Sequence, residues 1–213
     1  RFFFFFFIRI VTMEEIWIIG VGRFGQLAFQ RLSDAGTDRH FVLVDPDIEK
    51  LRPFKGTTAT LEVSGGIAFL EKSLNKGRNP DWIIPALPFH LAAEWFLLHL
   101  GSEKLKRIPL PPELDHMVPN PIRGAEGNLY VSHADFKCPA DCDEPRDICS
   151  VTRKMRHQNM YDFLLNLTFK PFNSLNIRSC QLGPGIGGYR ADQLLDMKAA
   201  VGQISGPQSH GMV

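Results

Sequence analysis

The sequence predicts an α/β fold on a doubly wound, mostly parallel sheet, and three observations carry that reading. An apolar run, Ile16-Trp17-Ile18-Ile19, leads at once into Gly20-Val21-Gly22-Arg23-Phe24-Gly25. A helical pattern then places Phe24, Leu27, Ala28, Leu32 and Ala35 on one face and stops at Gly36. A second apolar run, Phe41-Val42-Leu43-Val44, ends in Asp45. Short continuous apolar runs suit parallel strands buried on both faces.

Composition bounds what such a fold can do. A length of 213 residues suits one domain, or one carrying a substantial insertion. Apolar residues at 44% and charged residues at 22% argue against a disordered chain. A formal net charge of +1 offers no broad attraction to nucleic acid or anionic lipid. No run reaches the roughly 18 apolar residues of a membrane-spanning helix, so no integral membrane span is expected. Four cysteines are too few for a disulfide scaffold, and the expected setting is cytoplasmic. Residues 1–12 hold six consecutive phenylalanines and no initiator methionine. They read as an over-extended start with translation beginning at Met13; the alternative is a short interfacial anchor.

Each part of the glycine motif has a physical task. Gly20 allows a tight exit from the strand, Gly22 lets a pyrophosphate approach the backbone, and Gly25 lets the helix pack closely on the sheet. The helix N-terminus offers unpaired N–H groups and the positive end of its dipole to phosphate. Asp45 stands where a carboxylate accepts from the ribose hydroxyls and repels a 2′-phosphate, so NAD is expected over NADP. A glycine-rich turn without a ligand is the plainer alternative for the motif alone. Strand, helix, second strand and acid in register favour the nucleotide. The expected fold is therefore Rossmann-like, with a cysteine-containing loop insertion.

The stretches Ile18-Ile19-Gly20-Val21-Gly22-Arg23-Phe24-Gly25 and Val42-Leu43-Val44-Asp45-Pro46-Asp47 resemble the opening of the NAD-binding regulatory domains of potassium-uptake and potassium-conductance systems. The resemblance covers about 35 residues after Met13 and implies cofactor contacts from Gly20, Gly22, Arg23, Gly25 and Asp45. Ser64-Gly65-Gly66 stands roughly where that family carries a Gly-Asp pair.

Further elements continue the nucleotide-binding core over residues 13–108. Thr58–Val63 reads as a third strand, Ile67–Leu74 as a helix and Trp82–Ile84 as a fourth strand. Phe89–Leu100 is a nearly all-apolar helix. His90, at its first turn, reads as a general acid/base or ligand contact, or as a locally satisfied histidine. His99 reads as a favourable charge at the helix C-terminus. Five prolines, at 109, 111, 112, 119 and 121, then open a connection and insertion over residues 109–158.

That insertion carries Cys138, Cys142 and Cys149 in a Cys-x3-Cys-x6-Cys spacing, with His133 upstream and Cys180 downstream. Three clustered thiolates and a distant fourth ligand could hold an iron–sulfur cluster or a zinc ion. Redox thiols, or a surface loop with free cysteines, are the alternatives. Arg153, Lys154, Arg156 and His157 read as a solvated face balancing the acidic loop.

Residues 159–201 are expected to complete the domain. Met160, Phe163, Leu164 and Leu167 form a helical stripe capped by Asn159, and Phe172–Ile177 reads as a late strand. Gln181–Gly188 reads as a second glycine loop, contacting an anion or simply turning tightly, before a helix with Ala191, Leu194, Met197 and Val201. Residues 202–213 read as a flexible tail.

Two functions fit. One is an NAD(H)-binding sensing or regulatory module that acts on a protein partner or as a homodimer. The other is a small NAD-dependent oxidoreductase using a cluster, zinc or redox thiols.

Overall fold

The computed structural model describes residues 13–36, 38–74, 79–101, 107–124, 127–170, 172–203 and 209–212. Residues 1–12, and the two readings of them, lie outside these. The first half alternates strand and helix: β1 (Glu14–Ile19), α1 (Arg23–Asp34), β2 (Arg39–Asp45), α2 (Ile48–Leu51) with a 3-10 turn at Arg52–Phe54, β3 (Thr60–Val63), α3 (Gly66–Ser73), β4 (Trp82–Pro85) and α4 (Leu91–Leu100). Strands β1 to β4 are parallel, with β1 between β2 and β4 and β3 outside β2.

Alternation along these strands explains their unbroken apolar character. Trp17, Ile19, Val42, Val44 and Ile83 enter one core layer with Phe69, Leu70, Leu91, Trp95 and Phe96. Ile16, Ile18, Leu43 and Ile84 enter the other, with Ala28, Leu32 and Leu51. Helices thus cover both faces, and successive residues are buried in opposite directions.

The segment after α4 has little regular structure among its described residues. It holds a 3-10 turn at Pro112–His116 and a two-stranded ribbon of β5 (Ile122–Arg123) and β6 (Leu129–Tyr130). Arg123 ties them together, donating to Asp115 and to the carbonyls of Leu110 and Pro111. Helix α5 (Met160–Leu165) starts at Asn159, whose side chain accepts from the Asp162 N–H at 2.7 Å.

The return to the sheet differs from the expected one. Strand β7 (Phe172–Leu175) pairs in parallel with β10 (Ser209–Met212), in a separate two-stranded sheet where composition predicts a polar tail. The main sheet is instead extended by a hairpin, β8 (Cys180–Gly183) and β9 (Ile186–Arg190), with β9 antiparallel to β4. Helix α6 (Ala191–Gly202) follows and buries Leu194 and Met197 in the first core layer. The glycines that read as a loop conceal β9, because they carry no side chain to show alternation. At Gly188 an added Cβ would lie 2.9 Å from Leu182 and 3.1 Å from the Ile83 carbonyl. A side chain there would need Leu182 to turn away and the strands to give by a few tenths of an ångström.

Candidate functional site

The parallel strands end at one edge of the sheet. The chain runs outward from β1 to β2 and β3, then returns past β1 to β4. Ligands of open α/β sheets bind at such a reversal, outside the carboxyl ends of the strands. The turn Gly20-Val21-Gly22 occupies it, between β1 and α1.

The three motif glycines answer to different demands. Gly20 has φ +95°, and an added Cβ would lie 2.6 Å from the Ala86 carbonyl oxygen at the end of β4. At Gly25 a Cβ would lie 2.0 Å from the Gly20 oxygen. Neither position admits a side chain while the backbone stays in place. Gly22 has φ −74° and ψ −166°, and an added Cβ would meet nothing within 4 Å. No contact within the fold requires glycine there, and the space above it is open.

Gly22 is also the N-cap of α1, which has no side-chain cap and no acid in its first turn. No side chain of the helix's own first turn therefore caps its orphan N–H groups or offsets its dipole. Arg23 is exposed at the first helical position. Phe24, expected on the buried face, is 64% exposed.

Asp45 is placed at the end of β2 and is only 3% exposed. One of its oxygens accepts from the Val21 N–H at 2.8 Å, inside the glycine turn. The other accepts from the Asp47 N–H at 2.9 Å and lies 3.5 Å from the Lys50 ammonium. The carboxylate thus braces the turn against β2. Lys50 was not apparent as a site residue in sequence; its signal was a cation five positions after the acid.

Two more helices begin at this edge. Gly65 caps α3 without a side chain, and a Cβ at Gly66 would lie 2.4 Å from Ile19, so α3 sits close against β1. His90 is the N-cap of α4, its Nδ1 accepting from the Ala93 N–H at 3.4 Å. Partial desolvation, opposed by its own backbone hydrogen bond and by Glu94, holds the imidazole below its ordinary pKa. The cap requires a neutral ring, leaving Nε2–H as a donor. His99 Nδ1 lies in hydrogen-bond contact with Glu71 at 2.8 Å and the ring stacks on Trp95, so packing and a hydrogen bond both hold it.

The cysteine loop docks at the β8–β9 turn. The Cys142 carbonyl accepts from the Gly185 N–H at 2.9 Å and from Gln181 Nε2 at 2.7 Å. Arg31 of α1 donates to the carbonyls of Ala140 and Pro184. Gly185 has φ +68°, and a Cβ there would lie 1.9 Å from the Ala140 oxygen. The second glycine loop is therefore a hairpin turn that receives the insertion.

Cys138, Cys142, Cys149 and Cys180 are free thiols, the first exposed and the others half-buried. Among the described residues no three His, Cys, Asp or Glu side chains form a group able to hold a metal ion. The four cysteines and His133 do not come together as such a group in this arrangement. Spacing placed three cysteines in one loop, but side-chain direction decides convergence. Cys149 has its own environment: its sulfur accepts from the Thr152 N–H at 3.5 Å. Hydrogen bonds from the Thr152 side chain and backbone, then from Val151, bring its pKa down to about 7, with Arg156 adding charge stabilisation. Arg156 also lies 3.9 Å from Glu144 and donates to the Pro145 carbonyl, pairing the basic patch with the acidic loop.

Residues 92–212 match the family AF_1314_C, described as "Uncharacterized protein, C-terminal domain". The chain belongs to this family. An "Uncharacterized protein" of Archaeoglobus fulgidus is 28% identical over 194 residues, covering 83% of this chain and 84% of that relative. No solved structure matches. The AF_1314_C region begins inside α4 and contains the cysteine loop, β8, β9 and α6. Its Tyr189 and Leu194 share a core layer with Trp17 and Ile83. The region is therefore continuous with the sheet that carries the glycine turn.

Proposed function

We propose that the chain is a Rossmann-like NAD(H)-binding protein, a cytoplasmic sensing or regulatory module. The observation that carries this reading is the open space at Gly22, beside an uncapped helix N-terminus at the reversal of strand order. A glycine that no packing contact requires is explained by a ligand whose phosphates approach the backbone there. The N–H groups at the start of α1 would receive the pyrophosphate, and Arg23 would add charge. Gly20 and Gly25 shape the turn. Asp45 holds the Val21 N–H and so fixes the loop's conformation before a ligand arrives. Pre-organisation of this kind lowers the ordering cost of binding.

The likeness of residues 18–25 and 42–47 to the nucleotide domains of potassium regulators supports sensing over catalysis. The edge is equipped for binding, with backbone donors, an open turn and exposed Phe24, Ile48, Val63 and Phe89 at strand ends or in the segments that follow them. Calorimetric titration with NADH tests the proposal. Saturable 1:1 binding is expected, competed by ADP-ribose, which carries the same pyrophosphate. No heat and no change in NADH fluorescence at millimolar nucleotide would refute it.

A further inference from the structure

We propose that Lys50 sets nucleotide choice at this edge, so that a 2′-phosphorylated dinucleotide binds about as well as the unphosphorylated one. The inference rests on the nucleotide reading above and departs from the rule that an acid after β2 excludes the phosphate. That rule needs a carboxylate free to accept from both ribose hydroxyls and exposed enough to repel a phosphate. Asp45 meets neither condition.

A carboxylate has about four acceptor positions. At Asp45 one oxygen is taken by the Val21 N–H, and the other by the Asp47 N–H and the Lys50 ammonium. The residue is 3% exposed, whereas the Lys50 side chain is 46% exposed. Asp45 itself is withdrawn from this corner, and the Lys50 ammonium is left partly exposed there beside the exposed acids Asp47 and Glu49, with donors to spare beyond its contact with Asp45. The neighbouring acids have partners within their own turn. Asp47 caps α2, accepting from the Glu49 N–H, and Glu49 pairs with Arg52 at 2.8 Å. The negative charge of Asp45 is therefore compensated where a 2′-phosphate would lie, and a cation is available to bind it.

Competitive titrations with NADH and NADPH, on the native chain and on Lys50→Ala and Lys50→Arg, test the inference. The native affinities are expected to agree within about threefold. A charge-assisted hydrogen bond carries roughly tenfold or more in affinity. Lys50→Ala should therefore weaken NADPH by about tenfold and NADH by less than twofold, and Lys50→Arg should keep the native ratio. A native preference for NADH above tenfold, or equal losses for both nucleotides in Lys50→Ala, would overturn the inference and leave nucleotide binding intact. Failure of the native chain to bind either nucleotide would overturn both.

Discussion

The same one-methyl change at two glycines three positions apart should have opposite consequences. In Gly25→Ala the new Cβ starts 2.0 Å from the Gly20 carbonyl oxygen and 3.4 Å from Ile18. The obstacle is backbone, so no rotamer relieves it, and α1 must retreat by about 1 Å from the sheet. Ala28 and Leu32, each 2% exposed, would loosen against Ile16 and Ile18. Overpacking of this kind costs about 1–3 kcal/mol, and alanine's better helix propensity returns about 1 kcal/mol. A net loss of about 2 kcal/mol is expected, near the top of the range because the blocking atom cannot rotate away. Gly22→Ala meets no atom within 4 Å, at a φ and ψ that alanine adopts. The smaller unfolded-state entropy and the poorer N-cap roughly cancel, leaving stability within about 0.5 kcal/mol of native. NADH affinity should nevertheless fall by tenfold or more, since the methyl fills the space the phosphates need. Urea unfolding followed by tryptophan fluorescence and NADH titration read the two effects separately. Equal destabilisation by both variants, or native NADH affinity in Gly22→Ala, would refute the reasoning.

Other expectations address the rest of the molecule. Cys149 should be half thiolate near pH 7, so its alkylation by iodoacetamide should rise as pH increases through 7 and level off above 8; Thr152→Val should move that midpoint upward, as measured by mass spectrometry of the labelled peptide. The Tyr189 hydroxyl is buried without a hydrogen-bond partner among the described residues, so Tyr189→Phe should stabilise the fold by about 1 kcal/mol in urea unfolding. Leu194 is fully buried in the layer that also holds Trp17 and Ile83, so Leu194→Ala should cost about 2–5 kcal/mol. The loss should appear as one shifted transition; two separate transitions would show that the AF_1314_C region folds independently.

The local half of this structure was legible in sequence because local rules govern it. Ile16–Ile19 and Phe41–Val44 are apolar at every position since helices cover both faces of the sheet, and the glycine turn between β1 and α1 follows from backbone geometry that few other residues permit. The N-cap at Asn159 likewise depends on one side chain reaching an N–H three residues ahead. Contacts between distant segments were not legible. The partners of Asp45 include a backbone N–H 24 residues away and the Lys50 ammonium, and neither contact can be read from the order of the residues. Cys138, Cys142 and Cys149 share a loop, yet periodicity says nothing of where sulfurs point in irregular backbone. Strand β9 was hidden because Gly188 answers to the close approach of Leu182 and Ile83, and Gly185, in the turn before it, to the Ala140 carbonyl. Sequence by itself determined which segments could be strands or helices and which turn could face phosphate. Tertiary structure alone decided which strands joined the sheet and which polar groups were already satisfied, because both depend on atoms that only folding brings together.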